Sequence, residues 1–211
     1  MEERRACGFT LRLDPSGIAE EPWLREQLLI PERTNIISAD SRIWPQPNEL
    51  DDFYYEALDW HPLGIDTDYE EMLNKLHKLG VHTEGLIPLC ITLPVETIVT
   101  SKRLCGPWAA NYRHEQELLA QGWHFLGFEP VELNGLTSGL KGIGYREPFR
   151  SELQARFGAE LQARFGAALN EVGLFTDDTI SAEFAKIIGA EIPSHAPFDV
   201  VAILIHDSLS Q

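Results

Sequence analysis

FDVVAILIH, residues 198–206, is a near-continuous run of β-branched and other apolar side chains. A strand with one face in water alternates apolar and polar residues, whereas a strand covered on both faces does not. The run therefore predicts a strand buried on both faces, belonging to a central sheet flanked by helices. Upstream of it, Asp178 is placed to cap a helix carrying Ile180, Phe184, Ile187 and Ile188, with Gly189 as its stop. Further back, ELQARFGA occurs twice in succession, at residues 152–159 and 160–167. Leu153, Phe157, Leu161, Phe165 and Leu169 follow an i,i+4 series, so the duplication predicts one helix over 152–172. Gly158 and Gly166 oppose it by about 1 kcal/mol each relative to Ala. Two short copies are a local tandem duplication, because repeat architectures need more and longer units.

Towards the N-terminus, GFTLRL (8–13) alternates as a half-buried strand does, and WHFLGFEPV (123–131) and LIPLCITL (86–93) are apolar enough for strands. Pro88 lacks a ladder donor and argues for an edge or a bulge in the last of these. A shorter strand is expected around Ile36 and Ile37. Helices are expected from Pro22 to Pro31, over 49–60, from a Thr67/Glu70 capping box through Met72, Leu73, Leu76 and Leu79 to Gly80, and from Pro107 to about Gln121 with Gly122 as the left-handed stop. Strands and helices are intermixed. The expected class is α+β in a single domain over 1–211, with α/β as the alternative because several strands follow helices directly.

Composition bounds the function. The chain has 33 acidic residues against 17 Lys and Arg, a formal charge of −16 and a pI of about 4.7. A nucleic-acid partner requires basic surface to neutralise phosphates, so direct binding is not expected, and anionic membranes are disfavoured in the same way. Cys7, Cys90 and Cys105 are odd in number and widely spaced, which fits neither a disulfide framework nor a metal cluster and points to a reducing cytoplasm. MEERRACGFTLRL does not have the form of a signal peptide, and no apolar run is long enough to span a bilayer.

The charge is concentrated. Between Asn48 and Glu71 lie Glu49, Asp51, Asp52, Glu56, Asp59, Asp66, Asp68, Glu70 and Glu71, and no Lys or Arg occurs between Arg42 and Lys75. Asn48 suits a helix N-cap. On the helix 49–60, Leu50, Phe53, Tyr54, Ala57 and Leu58 share a core face, while Asp52, Tyr55, Glu56 and Asp59 share the opposite one. Asp59 in the last turn opposes the macrodipole, by roughly 0.3–1 kcal/mol, and Asp52–Glu56 is a like-charge i,i+4 pair. These charges are locally unfavourable, so a basic partner accounts for them better than helix stability does. Solvation of a surface helix is the ordinary role of such a run.

Other chemistry is thinner. Cys105-Gly106-Pro107-Trp108 places a thiol before an expected helix N-terminus, with His114 on that helix, but Trp108 stands where a redox motif has its second Cys. A hydrolytic Cys105–His114 pair is the alternative reading, as is a carboxylate, Glu129 or Glu132, acting beside His114 or His124. Asp66–Glu70 begins like a calcium loop, yet Glu71 occupies its glycine position and His77 its final glutamate position. The seven His show no zinc spacing, and Gly135–Gly144 with Lys141 matches no phosphate-loop pattern. No metal and no cofactor are expected.

The runs LGFEPVELNGLTSGLKGIGY (126–145), ALNEVGLF (168–175) and PSHAPFDVVAIL (193–204) together resemble a set of small uncharacterised bacterial acidic proteins with a pattern near LGFDVxD, SGLSNCGY, LNEYGLF and HAPFxVxG. Lys141-Gly142-Ile143 departs from the Ser-Asn-Cys portion. The resemblance implies a toxin-immunity type of protein and carries no catalytic residues with it. The expected function is thus neutralisation of a basic protein, such as a toxin nuclease, through Asp52, Tyr55, Glu56 and Asp59, extended by Asp66, Asp68 and Glu70. A homo-oligomer formed through Phe157 and Phe165 of the duplicated helix is a further expectation, which burial of both rings in the chain's own core would remove.

Overall fold

The computed structural model describes residues 3–13, 37–39, 68–78, 80, 83, 86–100, 113–133, 137–140, 152–194 and 196–206, without the side chains of 13, 99, 100 and 152–158. In chain order the elements are β1 (Arg4–Leu13), α1 (Tyr69–Lys78), β2 (Leu86–Pro94), α2 (Val95–Thr100), α3 (Glu115–Ala120), β3 (Trp123–Glu132), β4 (Thr137–Ser138), α4 (Glu152–Phe165), a 3-10 turn (Gly166–Ala168), α5 (Asp178–Glu191) and β5 (Phe198–His206). The strands form one antiparallel sheet in the order β1-β2-β5-β3-β4, and the class is α+β. The FDVVAILIH run is the middle strand. Its Val201, Ala202, Ile203 and Leu204 are all buried in succession, so both faces are covered, which is why no polar residue interrupts them.

The chain divides into two compact units, the first made of 1–14, 45–125 and 201–211, the second of 15–44 and 126–200. In the first, β1 pairs with β2 from Arg4↔Pro94 to Leu13↔Leu86, with a bulge at Cys7, and β2 pairs with β5 from Leu89↔Ile205 to Thr92↔Ala202. The strand expected at 8–13 thus begins at Arg4. Nor is it half-buried, for Thr10 and Arg12 are as enclosed as Phe9 and Leu11. Arg12 Nη1 donates to Thr10 Oγ1 at 2.7 Å and to the Leu11 carbonyl at 3.2 Å. Pro88 lies on neither an edge strand nor a bulge: β2 is flanked on both sides, and the proline falls just outside its ladder with β5, where its missing donor is not required.

Phe9, Tyr69, Met72, Leu76, Leu118, Trp123 and Leu204 build the core of this unit. Trp123 is its pivot, with ring centroids at 5.4 Å from Phe9, 5.2 Å from Tyr69 and 5.3 Å from His206. Full burial of each such side chain contributes roughly 1.5–3 kcal/mol, and tilted or edge-on ring pairs add about 0.5–1.5 kcal/mol. Helix α1 carries its apolar stripe as expected, but Asp68 caps it, its carboxylate accepting the Glu71 amide at 3.0 Å; Thr67 of the expected capping box lies outside the described residues. Of the helix expected from Pro107 to Gln121, only Glu115–Ala120 is helical among the described residues. Arg113 and His114 are extended, because the Arg113 carbonyl accepts the Ala6 amide at 2.9 Å and His114 bridges Arg5. Gly122 closes α3 with φ at +92°, a conformation in which a side chain would be strained.

In the second unit Leu161, Phe165, Phe175, Phe184 and Ile188 form the core. Phe165, Phe175 and Phe184 meet pairwise at centroid distances of 6.3, 5.3 and 5.4 Å. The helix expected over 152–172 ends at Phe165 and tightens to a 3-10 turn, after which Leu169 is extended and bridges Phe175. At Gly166 an added Cβ would lie 2.6 Å from Gln162 Nε2, the movable end of a side chain. Burial of Phe165 removes half of the expected dimer face, while the Phe157 side chain lies outside the described set. Helix α5 is capped by Asp177, one residue earlier than expected, through the Ile180 amide at 3.0 Å. It also runs past Gly189, where the nearest atoms to an added Cβ are at ordinary contact distance and no left-handed turn occurs.

Candidate functional site

Of the expected partner-binding residues, Asp52, Tyr55, Glu56, Asp59 and Asp66 lie outside the described residues. Asp68 and Glu70 are described. Asp68 has a structural task, since capping α1 directs one carboxylate oxygen at a backbone amide. Glu70 and Glu71 stand exposed in the first turn, where anions suit the helix dipole, and Glu71 meets Lys75 at 3.0 Å one turn on. Glu70 is therefore the expected residue that faces solvent while leaving the cap to its neighbour.

The second unit carries acids that the emphasis on Asn48–Glu71 overlooked. Glu160, Glu171, Asp177, Asp178, Glu183 and Glu191 are exposed on α4, α5 and the connection between them, against the exposed bases Arg164 and Lys186. Arg164 is ion-paired with Glu183 and lies over the Phe165 ring. The signal was available in the sequence, since these residues fall off the apolar stripes of two helices or in the connection between them, but they are spread over thirty-two positions rather than gathered in one run.

Of the residues of the enzymatic alternative, His114, His124, Glu129 and Glu132 are described. Cys105 lies outside the described residues. His114 precedes α3 and presents Nδ1 to Glu3 Oε1 at 3.1 Å, the same oxygen that accepts from Arg5 Nη2 at 3.0 Å and Nε at 3.2 Å. Next to it in sequence, Glu115 accepts from Thr92 Oγ1 at 2.5 Å and approaches Arg4 Nε at 3.8 Å. These bonds tie the start of α3 to β1 and β2. His124 is exposed on β3, and Glu132 is half-buried opposite Thr137 of β4.

Glu129 differs from all of these. It is fully buried, with Oε1 accepting from Ser38 Oγ at 2.6 Å and Oε2 from the Ala39 amide at 2.7 Å, while the Ile37 amide donates to the Val172 carbonyl at 3.1 Å. A general base must reach the proton it removes, and a carboxylate enclosed with both oxygens engaged is built for seating backbone. Nearby, Asn170 shapes the turn that covers β3. Its Oδ1 accepts the Val172 and Leu174 amides and its Nδ2 donates to the Leu126 carbonyl.

Among the described residues, Cys90 and Asp199 are shifted by their surroundings. Burial is the main cause that pushes the Cys90 thiol well up, with a smaller contribution from Cys7, so Cys90 is held as the inert thiol. Burial also raises the Asp199 carboxyl. Among the described residues no group of three or more His, Cys, Asp or Glu is arranged to hold a metal ion, and no helix is long and apolar enough to cross a membrane. Of the glycine-rich loop, Gly139 is described. Its amide donates to the Pro130 carbonyl at 2.7 Å and Phe198 packs where a Cβ would stand, so close packing explains this glycine. No protein-family model, curated protein or solved structure matches the chain.

Proposed function

We propose that this chain is an acidic cytoplasmic binding protein that neutralises a basic protein partner, as an immunity protein does a bacterial toxin such as a nuclease. The observation that supports the reading is the charge of the described surface. In the first unit the exposed carboxylates are Glu3, Glu70, Glu71, Glu96 and Glu117, against Lys78; in the second, six exposed carboxylates stand against Arg164 and Lys186. Such a surface concentrates a basic partner by long-range attraction, raising association toward ~10⁸ M⁻¹s⁻¹ or more at low salt. A nuclease built to bind phosphate presents the complementary potential. In this reading Asp52, Tyr55, Glu56, Asp59, Asp66, Asp68 and Glu70 make the contact, the carboxylates steering and the tyrosine anchoring.

The test is protection of growth. A basic bacterial nuclease toxin is expressed in a bacterial host with the wild-type chain or with Asp52→Lys/Glu56→Lys/Glu70→Lys. The reading expects toxicity relieved by the wild type and not by the folded triple variant. Absence of protection, or equal protection by the variant, overturns it.

A further inference from the structure

We draw no further inference here: the strongest candidate, the fully buried Glu129 carboxylate on β3 together with Ser38 and Ala39 in the second unit, has both oxygens engaged by those two residues and so accounts for the seating of 37–39 without pointing to a ligand.

Discussion

Replacing Glu129 with Ala removes the hydrogen bonds its buried carboxylate accepts from Ser38 Oγ and the Ala39 amide, each contributing about 1.5–3 kcal/mol. The two bonds together make the loss about 3–5 kcal/mol. For a chain of this length that lowers the melting temperature by roughly 6–20 °C. Glu129→Gln is milder, about 1–2 kcal/mol, because its amide oxygen still accepts from Ala39 and its NH₂ can donate to Ser38 Oγ. Ser38→Ala costs a similar amount, and the Ser38→Ala/Glu129→Gln double variant loses less than the sum, since the two share one contact. Urea unfolding gives the energies, and hydrogen exchange at the Ala39 amide gives the local effect. If Glu129→Ala unfolds within about 1 kcal/mol of wild type and Ala39 keeps its protection, the clamp is not what seats this segment.

Gly127→Ala places a Cβ 2.7 Å from Leu174 Cβ and 2.8 Å from the Phe175 carbonyl, so it should destabilise by about 1–3 kcal/mol in thermal unfolding. Gly80→Ala meets no neighbour within 4 Å and carries only left-handed strain at φ +73°, about 1–2 kcal/mol; a Gly127→Ala loss below about 1 kcal/mol contradicts the packing argument. For Asp199, a raised folded pKa means the folded state holds its proton more tightly, so its stabilisation is present in acid and is lost as pH rises from the ordinary Asp range through the folded value. Asp199→Asn should therefore gain melting temperature over wild type at pH 7 but not at pH 3, and the opposite pH order counts against it. Cys90 should resist iodoacetamide at neutral pH until the chain is unfolded, whereas half-buried Cys7 labels sooner; peptide mapping that finds equal native labelling contradicts the burial account.

Much of the fold was legible because hydrophobic period carries it. The uninterrupted 198–206 run fixed a doubly covered strand, and the stripe of Met72 and Leu76 fixed α1. What escaped was decided by partners distant in sequence. Arg113 and His114 leave the helical path to pair with β1, Leu169 leaves it to bridge Phe175, and Arg12 is buried on β1 although the alternation of GFTLRL places polar residues in water. Helix caps moved by one residue because Asp177 and Asp178 are chemically alike, and geometry alone tells which of them accepts the Ile180 amide. Glu129 illustrates the same limit at the site. Its sequence neighbours mark a strand, while its partners lie some ninety residues earlier. The acidity of the surface was readable from composition, but its extension over α4 and α5 required knowing which faces those helices bury.

The most direct measurement is the association rate of the purified chain with a purified basic nuclease toxin that it protects against, recorded across ionic strength. An electrostatically steered contact slows steeply as the Debye length shrinks from about 30 Å at 0.01 M to about 8 Å at 0.15 M salt. The account predicts that steep fall for the wild type, and a slower, flatter profile for Asp52→Lys/Glu56→Lys with unchanged unfolding behaviour. A rate that ignores salt, or a charge-reversed variant that associates as fast as the wild type, contradicts it.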